Sequence, residues 1–186
     1  MALTPSNMLP LGTEAPRFEL WDSVSNSIKT LNVLQGSKGT LVMFICNHCP
    51  FVVHINEALV RLANEVQPKG IGMIAISSND AQAYPQDGPE AMQLHAKKLN
   101  YPFPYLYDET QLVAKAYDAA CTPDFYLFDA NLKLTYRGQL DDSRPGNGLP
   151  IDGNDLKHAI QCLIEEKDNT HTQKPSIGCN IKWKNI

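Results

Sequence analysis

With 186 residues, 43% of them apolar, the chain is long enough to bury one substantial core without a disulfide framework. A formal charge of −4, with no cluster of Lys and Arg, argues against nucleic acid or an anionic membrane as the main partner. No apolar run approaches the roughly 20 residues that cross a bilayer, so no membrane association is expected. The segment from Met1 to Met8 has neither a basic n-region nor an apolar h-region, which predicts no signal peptide and a cytoplasmic location. In such a reducing compartment an odd count of five cysteines points to reactive or buried thiols.

The first strand candidates are Phe18-Glu19-Leu20 and Ile28 to Leu31. Leu41 to Ile45 is a short continuous apolar run and predicts a buried strand. From Phe51 to Val66 the apolar residues Val52, Ile55, Leu59, Leu62 and Val66 form the stripe of an amphipathic helix, stopped by Pro68 and Gly70. Ile71 to Ile76 is a second buried strand, so strand, helix and strand make a βαβ unit with parallel strands. After a polar loop, Asp87 is a plausible cap for a helix running to Leu99, with Pro89 tolerated in its first turn. Tyr101 to Pro104 enforces extended chain leading into Tyr105-Leu106-Tyr107. A helix is expected over 110–118, and Phe125–Phe128 and Leu134–Arg137 form a hairpin. A polar loop, 141–154, precedes a last helix, 155–166, and a polar tail over 167–186. A βαβ half followed by a ββα half is the thioredoxin-like arrangement. The expectation is a single α/β domain over 1–186, with a central mixed sheet flanked by helices, an N-terminal strand extension and a C-terminal tail.

Where the first buried strand gives way to its helix stand Cys46-Asn47-His48-Cys49. Two thiols three residues apart at a helix start lie within reach of a disulfide. Cys46, at the expected N-cap, would have an exposed sulfur whose thiolate the helix N-terminus favours. Cys49, one turn in, would be the shielded thiol that attacks the mixed disulfide. The competing reading is a buried structural pair or half of a zinc site. His48 can donate to the Cys46 thiolate or place positive charge beside it; otherwise it is an exposed loop histidine. His54 is expected on the solvated surface. Thr122-Pro123 precedes a strand where thioredoxin-like folds hold a cis proline facing the redox pair, and Cys121 would then lie nearby as a third redox thiol or a small buried hydrophobe. Cys162 sits among apolar residues of the last helix and reads as packing. Cys179 lies in the polar tail, either as a resolving thiol or as an exposed bystander.

Taken together, Gly12 to Leu20, Cys46 to Val52, Cys121-Thr122-Pro123-Asp124, Tyr136-Arg137-Gly138, Asp141 to Asn147 and Lys174 to Lys184 resemble the redoxin (AhpC/TSA) superfamily. The resemblance is to its peroxiredoxin-like branch bearing a thioredoxin-type CxxC. It implies redox or antioxidant chemistry at Cys46 and Cys49. Peroxiredoxins resemble one another in a Thr three residues before the peroxidatic cysteine; here Met43 and Cys46 occupy those places. The strand 41–45 also lacks the carboxylate many thioredoxins carry, so a proton acceptor would be His48, water or a group from elsewhere.

The expected function is a thiol–disulfide oxidoreductase. Its partners would be a disulfide-bearing protein or a low-molecular-weight thiol, with a reductant the residues do not identify. No cofactor and no metal are expected. A thiol peroxidase, with Arg137 or Arg144 helping to polarise the peroxide, is the alternative. A metal-binding module using Cys46, Cys49 and a histidine or Cys179 is a third reading; no second CxxC or HxxxH completes a zinc set.

Overall fold

The structure is a computed structural model and describes residues 3–184; the outermost two residues at each end of the expected 1–186 domain lie outside the described residues. In chain order it contains β1 (Leu3–Pro5), β2 (Glu19–Asp22), β3 (Ser27–Thr30), α1 (Leu31–Leu34), β4 (Gly39–Phe44), α2 (Pro50–Val66) and β5 (Ile71–Ser77). Then come α3 (Pro89–Leu99), β6 (Tyr105–Tyr107), α4 (Leu112–Ala116), β7 (Cys121–Thr122), β8 (Asp124–Asp129), β9 (Leu134–Gly138), α5 (Asn154–Ile164) and β10 (Ile177–Asn180).

Seven strands form one mixed sheet in the order β3-β2-β6-β5-β4-β8-β9. The β4–β5 and β5–β6 pairs are parallel, and the others antiparallel. This is the thioredoxin-like arrangement, with the expected parallel βαβ unit in β4-α2-β5. Every residue of β4 is buried because both sheet faces are covered, which is why the strand reads as an unbroken apolar run. Leu41 and Met43 face a core with Leu59 of α2, Met92 of α3 and Leu156 of α5. Val42 and Phe44 face a second core with Leu31, Ala114 and Tyr117. The alternation follows from the two-residue period of a strand.

The helix expected over 110–118 shrinks to Leu112–Ala116, because the buried Asp108 carboxylate takes the Ala114 N–H (2.9 Å) at its start and Asp118 turns to φ 51° at its end. The polar tail is not a loose appendage. Its β10 segment lies between β1 and β7 in a separate three-stranded antiparallel sheet. Cys162 is buried on α5, as packing requires. No helix among the described residues is long and apolar enough to cross a membrane.

Candidate active site

The loops after β4 and β5 meet at the carboxyl ends of two neighbouring parallel strands, the place where open α/β sheets gather functional groups. β4 ends at Phe44, and Ile45 still donates its N–H to Ile76 (3.0 Å). Helix α2 begins at Pro50, whose missing N–H has no partner to lose in a first turn. Its N-cap is Cys49, not Cys46. The expected register of the motif is therefore shifted: the N-terminal N–H groups and their positive end point at Cys49.

Both thiols are free and both are shut away from solvent, Cys46 at 2% exposure and Cys49 at 0%. This corrects the expectation of an exposed Cys46 sulfur. The two share a hydrogen bond in which Cys46 donates, and burial and the charge of Asp87 further hold the Cys46 thiol well above its ordinary range. The same hydrogen bond pulls Cys49 down to about 4. The Cys179 thiol, the Thr122 hydroxyl and the Val52 N–H assist, against the opposing effect of burial. As a thiol, Cys49 instead donates to the Thr122 carbonyl at 3.2 Å. The two sulfurs are therefore pushed in opposite directions, Cys46 up and Cys49 down, chiefly by their mutual interaction, with burial and Asp87 adding to the first and the start of α2 to the second.

That carboxylate, Asp87, is the residue that sequence reasoning misplaced. It does not cap α3, whose N-cap is Gly88; it closes a short 3₁₀ turn, Pro85–Asp87, and is fully buried. Asp87 accepts the Asn47 N–H (2.8 Å), the Asn79 side-chain amide (2.8 Å) and His48 Nδ1 (2.5 Å). The His48 ring stacks on Tyr84 with centroids 5.5 Å apart and planes 6° from parallel. Asn47 is fixed further by donating to the Gln86 carbonyl and accepting from the Tyr105 hydroxyl. No local pattern marks Asp87 as a site residue. The βαβ topology is the available signal, since it brings the segment after β5 to the end of β4.

The Thr122–Pro123 bond is cis. Thr122 Oγ1 lies 3.5 Å from Cys46 Sγ, so Thr122 touches both thiols. Its backbone is not free, because β7 pairs with β10, Thr122 opposite Cys179. Cys121 is fully buried, its sulfur 3.7 Å from the Pro123 carbonyl, and burial pushes its thiol up. Cys179 is buried at 3% exposure and hydrogen-bonded to Cys49, not exposed in a tail. His54 also departs from expectation: the loop after β9 folds over the start of α2, and His54 Nε2 is buried without a hydrogen-bond partner beside Phe51, Pro123 and Arg144. Arg144 commits its guanidinium to Gln139, Asp141 and Ser143. Arg137 donates to Gln173 in the tail. Neither guanidinium is engaged with a thiol in these contacts.

One donor atom each from Cys46, His48 and Asp87 lie within 4.8 Å of one another. Zinc takes four ligands. Both Asp87 oxygens are already engaged by N–H donors, so this trio suits hydrogen bonding better than a metal.

Residues 11–137 match the AhpC/TSA family. The chain belongs to that family. The AhpC/TSA chain is 56% identical to an uncharacterized conserved protein from Geobacillus kaustophilus, covering 100% of this chain and 98% of that one with a TM-score of 0.98. It is 49% identical to the hypothetical protein SMc02350 from Sinorhizobium meliloti 1021, covering 97% and 98% with a TM-score of 0.95. At 18% identity it shares its fold with the thioredoxin domain of the thiol-disulfide oxidoreductase BVU-2223 from Bacteroides vulgatus, covering 82% and 99% with a TM-score of 0.64. Comparison with curated proteins gives no match.

The proton shared by the AhpC/TSA thiol pair has a measurable signature. The ultraviolet thiolate absorbance of the reduced protein is expected to titrate with a midpoint near 4. It should vanish in Cys49→Ser, and its midpoint should rise in Cys46→Ala, which removes the strongest donor to Cys49. A thiol whose folded pKa lies below its unfolded value of about 9 stabilises the fold fully above pH 9 and ceases to do so as pH falls through about 4. A midpoint unchanged by Cys46→Ala would break the proposed sharing.

Proposed function

We propose that this protein is a thiol–disulfide oxidoreductase that exchanges disulfides with protein or low-molecular-weight thiol partners through Cys46 and Cys49. The observation that carries this reading is a pair of free thiols where β4 gives way to α2, both in contact with Thr122 of the cis Thr122–Pro123 bond. As Cys46 attacks a substrate disulfide, its proton passes along the existing hydrogen bond to Cys49. One substrate sulfur leaves as a thiolate and the other becomes bonded to Cys46. The departing thiolate takes the proton from Cys49. Cys49 then attacks Cys46, forming the Cys46–Cys49 disulfide and releasing the second substrate thiolate. The reverse sequence oxidises a dithiol.

In this scheme Thr122 Oγ1 orients the attacking sulfur, and Pro123, joined to Thr122 by the cis bond, shapes the docking surface. His48 and Asp87 hold the Cys46–Cys49 loop and set the local field. Asp87 brings to the pair, from another part of the chain, the buried carboxylate that strand β4 lacks, while the proton itself moves between the two sulfurs.

Family membership favours a second reading, thiol peroxidase, and Thr122 supplies a hydroxyl near Cys46 where the preceding residues have none. Peroxide cleavage needs several donors placed on the developing charge, and both candidate arginines are engaged elsewhere. Turnover of oxidised glutathione and of a disulfide-bearing protein, run beside stopped-flow consumption of hydrogen peroxide, tests the ranking. Clear disulfide exchange is expected, with peroxide consumption orders of magnitude below that of a dedicated peroxidase. A second-order constant of about 10⁶ M⁻¹s⁻¹ or more with peroxide would reverse the order.

A further inference from the structure

Segment 174–182 crosses the thiol end of the sheet under close restraint. Gln139 donates its N–H to the Lys174 carbonyl (3.0 Å), and Ser176 donates its hydroxyl to the Pro123 carbonyl (2.5 Å). Gly178 is pressed against Thr122 so closely that a Cβ there would stand 1.9 Å from the Thr122 carbonyl oxygen. Cys179 lies opposite Thr122, and Asn180 opposite Cys121, in antiparallel register. Beyond them Ile181 donates to the Ala120 carbonyl (3.1 Å) and Lys182 to Asn79 (2.8 Å), the same Asn79 that holds Asp87. A strand thus lies along the β7 edge, where an extended peptide bearing a cysteine would have to pair to reach the buried thiols. The strand that lies there belongs to the chain itself, and it brings a cysteine to Cys49.

We infer that β10 is a built-in substrate strand and that Cys179 is a third redox thiol, which exchanges with Cys49. The inference rests on the reading of Cys46 and Cys49 as the exchange pair. Cys49 shares one buried cluster with Cys46 and Cys179; the motif places the first sulfur, and the β10 register places the second opposite Thr122, the residue whose carbonyl Cys49 contacts. The step needs no outside oxidant. The Cys179 sulfur attacks Cys49 in the Cys46–Cys49 disulfide; the bond between Cys46 and Cys49 breaks, and a bond between Cys49 and Cys179 forms. The proton lost by Cys179 is taken up by Cys46 as it leaves, and Cys46, beside Asp87, is the sulfur that best retains it. The exchange moves the disulfide from the motif to the tail strand with no change in oxidation level.

Peptide mapping tests this on the full chain. The wild-type protein is equilibrated in a glutathione redox buffer, quenched with acid, alkylated and cleaved after Lys and Arg. Cys46 and Cys49 then share the peptide 39–61, while Cys179 lies in 168–182. The expected result is loss of alkylatable Cys179 in a fraction of the oxidised chains. Those chains should show a link between 39–61 and 168–182 with Cys46 alkylated, and Cys179→Ser should abolish the link. Oxidised wild type that contains the Cys46–Cys49 bond while Cys179 stays fully alkylatable overturns the inference and leaves the exchange pair standing. Wild type that forms neither bond overturns both.

Discussion

Replacing Cys46 by serine is expected to reduce disulfide exchange to background, and replacing Cys49 to leave the protein covalently stuck to its substrate. The asymmetry follows from the order of the two steps. Without Cys46 the remaining sulfur of the motif, Cys49, is wholly buried and does not begin the attack. Without Cys49 the attack proceeds, but the mixed disulfide on Cys46 lacks the neighbour that displaces the substrate. Cys179 does not rescue that adduct, because its hydrogen bond is with Cys49. Mass spectrometry of Cys49→Ser after exposure to a disulfide substrate should show one substrate thiol attached at Cys46. Wild-type turnover by Cys49→Ser, with no adduct, would remove the assigned roles.

The second large effect is expected at Asp87. Asp87→Ala leaves the buried Asn79 amide and the half-buried Asn47 N–H and His48 ring without their acceptor. Unsatisfied buried donors cost about 1–3 kcal/mol each, so a loss of about 3 kcal/mol or more in urea unfolding is expected. Asp87→Asn keeps the volume and part of the hydrogen bonding, and so isolates the charge. Removing a negative charge beside Cys46 stabilises the reduced, thiolate-bearing pair and makes the couple more oxidising. His48→Ala removes the ring that faces Asp87 and shifts the couple the other way. Each shift should be some tens of millivolts, about 30 mV for every 1.4 kcal/mol. Redox titration against glutathione measures both. Shifts of the same sign, or none, would exclude an electrostatic role for the pair.

What could be read from the chain alone divides along physical lines. The α2 stripe at Val52, Ile55, Leu59, Leu62 and Val66 was legible because a helix buries one face at a fixed period. Strands β4 and β5 were legible because burial on both faces leaves only apolar residues. Cys46 and Cys49 stood out because their partnership is local. The identity of the cap was not, since Cys46 and Cys49 both lie between strand and helix and a shift of three residues moves the helix terminus from one sulfur to the other. Asp87 looked like a cap because Asp before Gly-Pro is ordinary at a helix start; two of its partners, Asn47 and His48, lie 40 and 39 positions upstream and are brought to it by the βαβ crossover. The buried placement of Cys179 was not legible for the same reason, and its reading stayed open between a resolving thiol and an exposed bystander. A polar tail carries no apolar period, and β10 is held by backbone pairing and by one glycine seated on Thr122.

The small sheet formed by β1, β10 and β7 also bears on how the molecule is assembled and breathes. It joins Leu3 to Cys179, from opposite extremes of the sequence, and Cys179 to the distant Thr122. Contacts that close such long loops form late in folding, after the local βαβ and hairpin units. Strands this short contribute few hydrogen bonds, which places them at the low end of local stability. The sheet that covers the sulfurs is therefore expected to engage last and, for all its close contacts, to open ahead of the cores beneath it. How fast a thiol reagent in solution finds Cys46 is then set by the rate at which that sheet opens, a property encoded far from the motif itself.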